Sequence, residues 1–247
     1  MPPAKALAPL RGVPIFLLLL SAIAPAEQLT GETVLVESGN VVLRTPSGVE
    51  HRLTHAGRDA NPTLSPDGRR VAFVRTQPGP VIWNARGDVE QQEIWIVGVD
   101  GRGARRLARN ARKVGTATAF SAFYELQFSP GGHLLYFQTG CAMVHGCLHS
   151  IDLRSGKTRL VSGNVNGAEV LRSGRYAGHL LVQAHQYCTG DDPPCGSYEE
   201  IWLITPEGKT VHDIGPGELA PGNETVARFK RFGAFPGPRA FAAEQAQ

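Results

Sequence analysis

The sequence predicts an all-β protein, a β-propeller of about four four-stranded blades that is small or incomplete. Three observations carry this. The stretch "SPDGRRVAFV" at 65–74 has a near copy, "SPGGHLLYFQ", at 129–138. A β-hairpin pattern follows each copy. The 247 residues hold 29 Gly and 18 Pro, a composition of many turns and short strands.

Each part of the repeat has a local reason. In the first copy Pro66 presets φ at the second turn position, and Gly68 can take the positive φ that returns the chain to a strand. Beyond the turn, Val71 and Phe73 alternate with Ala72 and Val74, so both faces are apolar and the strand belongs between layers. A degraded third copy, "AEVLRSGRYAGHLLVQA" at 168–184, keeps the strands and loses the Ser-Pro. The hairpins that follow are "EIWIVGVDGRGARRLA" at 93–108, "LHSIDLRSGKTRLVSG" at 148–163 and "EIWLITPEGKTVHDIG" at 200–215. A fourth, "NVVLRTPSGVEHRLT" at 40–54, precedes the first copy and would complete the last blade. Four-stranded antiparallel units repeated in line are the pattern of a propeller. Trp95 and Trp202 hold the same place in two repeats and read as blade packing. The stretch 215–232 could supply two poor closing strands.

These residues resemble the WD-like repeat of the TolB-type β-propeller family. The resemblance rests on the Ser-Pro-Asp-Gly turn, the apolar strand after it, the "IW" strand and the "DG…RRL" hairpin, and it covers about 40–215. It implies a periplasmic scaffold at a cell envelope. That family carries a separate α/β domain before a six-bladed propeller, whereas the repeats here start soon after the N-terminal segment.

That segment reads as a signal peptide. Lys5 and Arg11 supply positive charge, "VPIFLLLLSAI" at 13–23 is too short to span a bilayer comfortably, and "APA" at 24–26 is a small-x-small cleavage site. The expected organisation is a signal peptide at 1–26, a TolB-like propeller domain at 27–232 and a flexible Ala/Gly/Pro-rich tail at 233–247. Cleavage would lower the net charge from +3 to +1, by loss of those two cations. The mature chain is then periplasmic or secreted, with no stable membrane insertion. The basic run at 101–113 reads as a solvated hairpin tip, and no nucleic-acid partner is expected.

Four cysteines in an exported chain suggest disulfides. Four allow three connectivities, of which the local pairing, Cys141–Cys147 and Cys188–Cys195, is the simplest. The rival is a metal held by His145, Cys147 and His149, but their spacing matches no strong zinc pattern. No metal site is expected.

Strand order places the insertions at 76–92, 140–147 and 185–199 between the second and third strands of their blades, all on one face. Long loops on a rigid scaffold are where binding concentrates. Trp83, Arg86, Tyr187, Asp191, Asp192 and Tyr198 are the candidate binding residues, as aromatics and charges on those loops. No G-x-S-x-G, H-E-x-x-H, Walker loop or dinucleotide fingerprint is present, so no cofactor is expected. The resulting expectation is a non-catalytic exported propeller that binds a protein, peptide or glycan partner, with a homodimer as an option. The alternative is a metal-dependent small-molecule hydrolase, lactonase-like, working at the axial funnel with ligands from Asp59, Asn61, Asp191, Asp192, His51, His55 and His185.

Overall fold

A computed structural model describes residues 31–84, 87–110, 122–140, 145–187 and 196–232; the side chains of 80 and 82–89 lie outside this description. It is all-β but for one short helix. The strands are β1 (Thr33–Glu37), β2 (Asn40–Arg44), β3 (Glu50–Arg52), β4 (Asp59–Leu64), β5 (Arg70–Asn84), β6 (Gly87–Gly98), β7 (Arg105–Arg109), β8 (Tyr124–Phe128), β9 (Leu134–Gly140), β10 (Gly146–Asp152), β11 (Thr158–Val170), β12 (Leu180–Tyr187), β13 (Ser197–Ile204) and β14 (Thr210–Pro216), followed by α1 (Glu224–Phe232).

The strands form a three-stranded sheet β1–β2–β3, a four-stranded sheet β4–β5–β6–β7 and a seven-stranded sheet running in order from β8 to β14, every pair antiparallel. The seven-stranded sheet is two blades sharing one strand. The first half of β11 pairs with β10, as in Ile151↔Thr158, and its second half with β12, as in Val170↔Leu180. Asn164, at a φ of 54°, and a bulge between Val165 and Gly167 mark the change of partner.

The Ser-Pro turns are built as the sequence predicts. Gly68 N donates to Ser65 O at 2.9 Å, and Gly132 N donates to Ser129 O at 2.8 Å. The glycines have φ of 66° and 65°. Ser65 Oγ also donates to Asp67 Oδ1 at 2.5 Å and accepts from Arg70 N at 2.9 Å, which closes the turn.

Period-2 alternation then sorts side chains between neighbouring blades. Val71 and Phe73 pack with Val41, Leu43, Leu53 and Val97, toward the first sheet. Ala72 and Val74 face the other way, onto Leu126, Phe128, Leu135 and Phe137. Tyr136 and Leu148 meet Val170, Leu180 and Val182. Trp95 joins the first of these layers and Trp202 the last, as blade packing requires.

Two expectations are corrected. The stretch 215–232 supplies no pair of closing strands: β14 ends at Pro216, and α1 follows. Asn223 caps that helix, its Oδ1 accepting from Val226 N at 3.1 Å, and Val226 and Phe229 lie three apart on the face that meets Leu181, Ile201 and Leu203. The helix thus covers the face where a further blade would stack. The N-terminal hairpin does not complete the last blade: it belongs to a separate three-stranded sheet, while the last blade is built from β11 to β14.

Candidate functional site

The first of the second-to-third-strand insertions is not a loop, and most of the other two lies outside the described residues. β5 and β6 continue as a paired ribbon beyond the blade, through Gln77↔Gln91 and out to Asn84↔Gly87. Trp83 belongs to this ribbon, pairing with Asp88. The side chain of Trp83, and Arg86, Asp191, Asp192, Cys141, Cys188 and Cys195, lie outside the described residues. Cys147 is buried and disulfide-bonded, through a partner outside that set.

Tyr187 and Tyr198, at the far end of the β12–β13 hairpin, are 59% and 42% exposed. Tyr198 pairs with Gln186 and so faces away from His185 and Glu199, whereas beside Tyr187 the structure assembles a polar cluster. His185 Nδ1 and Glu199 Oε1 are 2.7 Å apart, from directly paired positions on β12 and β13. Asn166 Nδ2 donates to Glu199 Oε1 at 2.8 Å, and Gln183 Nε2 to Oε2 at 3.2 Å. The ring of His145, from the neighbouring blade, stacks on His185 with centroids 4.4 Å apart, and its Nε2 lies 2.9 Å from Tyr187 Oη. His145 precedes β10 directly, so the ends of the two blades' central hairpins are joined by these side chains.

Burial alone would raise the pKa of Glu199, but hydrogen bonds from His185, Asn166 and Gln183 outweigh it and hold the carboxyl below the ordinary range. A carboxylate orienting one imidazole, with a second imidazole bonded to a partly exposed phenol, can hold and move a proton. It can equally anchor a hydroxyl-rich or peptide ligand. Sequence reading named Tyr187 and Tyr198, weighed His145 and His185 only as metal ligands, and missed Glu199, Asn166 and Gln183. No short motif links residues that meet across three strands.

The described members of the lactonase-like set do not come together as a metal site, and Asp191 and Asp192 lie outside the described residues. Asp59 is buried and bonded to Arg75 at 2.6 and 2.9 Å, His185 is bonded to Glu199, and His51 and His55 are exposed. His149 is buried against Phe137, away from this surface, with ring centroids 5.3 Å apart. Among the described residues no group of three or more His, Cys, Asp or Glu could hold a metal ion.

Among the described residues of the basic run, three arginines are engaged within the fold. Arg106 Nη1 and Arg109 Nε donate to Glu93 Oε1 at 2.8 and 2.9 Å, and Arg105 Nη2 donates to Leu153 O of the next blade at 3.1 Å.

No family model matches the chain. Among curated proteins, an uncharacterized protein of Agrobacterium fabrum is 32% identical over 120 residues, which are 48% of this chain and 34% of that protein. The matched segment thus spans about a third of that relative. Among solved structures, the tricorn protease aligns at TM-score 0.51 and 12% identity over 75% of this chain and 16% of its own. Dipeptidyl peptidase 4 of Porphyromonas gingivalis aligns at 0.50 and 12% identity over 75% and 31%. TolB from Acinetobacter baumannii aligns at 0.47 and 16% identity over 76% and 41%. At such identities the likeness concerns the fold, and the fold is that of a β-propeller. Membership of the TolB family does not follow.

One expectation is overturned here. The absence of catalytic motifs led to a non-catalytic protein, but the solved propellers that align at a TM-score of 0.50 or 0.51 belong to a protease and a peptidase. Motifs such as G-x-S-x-G register one kind of nucleophile turn. They are blind to chemistry assembled from several blades.

Proposed function

We propose that the chain is an exported β-propeller that binds a protein, peptide or glycan partner on the face formed by the β5–β6 ribbon and the β9–β10 and β12–β13 hairpins. One observation carries the reading: the exposed Tyr187 is bonded to His145, whose ring stacks on the His185 that engages Glu199. Tyrosine offers a large, stiff contact area with a polar tip, and a network in which three side chains hold one carboxylate lowers the ordering cost of binding. Local disulfides Cys141–Cys147 and Cys188–Cys195 would serve the same end. The signal-like segment at 1–26 supports a periplasmic or extracellular setting. Among the described residues no helix is long and apolar enough to cross a membrane.

The test is to probe peptide and glycan arrays with the secreted protein, whose N-terminal sequence should begin at Glu27. Tyr187→Ala should weaken any specific binding about tenfold, the loss typical of a central aromatic anchor. Binding that survives Tyr187→Ala and Tyr198→Ala unchanged would move the site elsewhere.

The His185–Glu199 pair favours a second reading, proton-transfer catalysis on a bound ester or glycoside. Here His185→Gln would abolish turnover of a chromogenic substrate panel while leaving binding intact. Equal turnover by wild type and variant would remove this reading.

A further inference from the structure

On the opposite face of the last blade, the turn joining β11 to β12 departs from its repeat. In the first two copies the bond closing the turn spans five residues, from Ser65 N to Arg70 O and from Ser129 N to Leu134 O. In the third it spans eight, from Leu171 N to His179 O. The enlarged turn, "LRSGRYAGH", carries Arg172 and Arg175 and is exposed at both. The last turn of α1 comes to lie against it, with Lys230 and Arg231. Together they line a cavity of about 530 Å³, floored by Tyr176 and Phe229, whose rings stack at 5.4 Å.

The charge in this cavity is one-sided. Four cationic side chains line it against a single carboxylate, Glu169, which Lys230 Nζ already engages at 2.6 Å. Cations at a helix C-terminus offset the helix dipole, which accounts for Lys230 and Arg231. It does not account for Arg172 and Arg175, which lie on a separate segment. Among the described residues neither makes an ion pair, and Arg175 lies over the Tyr176 ring at 5.4 Å. Arginines gathered in a concave site where the one carboxylate is engaged by another cation are suited to bidentate capture of oxyanions. The volume is that of a small-molecule site.

From this we infer an anion site: the cavity between the β11–β12 turn and α1 binds a small, multiply charged oxyanion through Arg172 and Arg175. It is separate from the tyrosine face and does not depend on the reading of that face.

The experiment is calorimetric titration of the protein with pyrophosphate and, separately, with citrate, at constant ionic strength. Saturable one-site binding is expected, weakened about tenfold in each of Arg172→Ala and Arg175→Ala. Lys157→Ala, an exposed cation on a different turn, should bind as wild type. Binding of pyrophosphate alone would assign a phosphoryl ligand, and of citrate alone a polycarboxylate. No saturable heat with either anion would overturn the inference. So would equal weakening in Lys157→Ala, which would show only general attraction. Both arginines are exposed, so an unchanged melting temperature without ligand is the check that the variants fold.

Discussion

His149 stands where the neighbouring blades place tryptophan. Its β9 partner is Phe137, matching Phe73↔Trp95 and Val182↔Trp202. The side chain is 3% exposed, and burial pushes its pKa down from 6.5 to about 4. The folded state therefore holds it neutral where the unfolded chain would take up a proton. Stability is fully present above about pH 6.5 and falls with acidification until the folded pKa is reached. Over that window the loss is roughly 3 kcal/mol. His149→Phe should flatten this dependence, as read from urea unfolding at pH 7 and pH 5; an equal slope in the variant would assign the acid sensitivity to other groups. The repeat position was legible in the sequence once Trp95 and Trp202 had been aligned. The buried neutral imidazole was not, because burial depends on the adjoining blade.

At the scale of the element, two features matter, the clamp on the first full blade and the terminal helix. Glu93 on β6 is 2% exposed and accepts from Gln77 of β5, Trp95 of its own strand, and Arg106 and Arg109 of β7. Burial would raise its pKa, but the four donors outweigh that and hold the carboxyl below its ordinary value. Its contribution is thus present at neutral pH and is lost as pH falls through the lowered pKa. Both arginines are about half exposed, which limits the cost of leaving them unpaired. Glu93→Ala should cost about 2 kcal/mol in urea unfolding and should loosen β7 first, as seen by hydrogen exchange. In the last blade the same repeat position is Glu200. Its cross-strand surroundings differ, because Asp213 stands opposite Trp202 where Arg106 stands opposite Trp95. Burial, and then Asp213, raise the Glu200 pKa. Equivalent strands can therefore carry opposite electrostatics. The terminal helix escaped sequence reading because only two apolar anchors mark it within a Gly- and Pro-rich stretch. Asn223, which begins an Asn-x-Thr pattern, turns out to be its cap.

At the scale of the whole molecule, the blades form a series whose last member is covered by α1 rather than by another sheet. The cover rests on Val226 and Phe229 against Leu171, Leu181, Ile201, Leu203 and Ile214. Exposing a contiguous apolar face of this kind promotes association. Phe229→Asp should undock the helix, costing about 3 kcal/mol or more by analogy with large aromatic truncations. Light scattering should then show a mass that rises with concentration in the variant and stays constant in the wild type. A wild-type mass that already doubles would assign the open blade series to pairing between two chains.

The blades themselves were determined by the sequence alone, since turn chemistry and period-2 alternation act over ten or so residues and recur at each copy. Ser65, Gly68 and the Val71–Val74 run specify their turn and both their faces without reference to the rest of the chain. Only the tertiary structure decided how the units join: that β11 serves two blades, that α1 ends the series, and that His145, His185, Glu199 and Tyr187 meet. Those outcomes depend on contacts between residues far apart in sequence, and no local period records which distant side chain will fill a given gap.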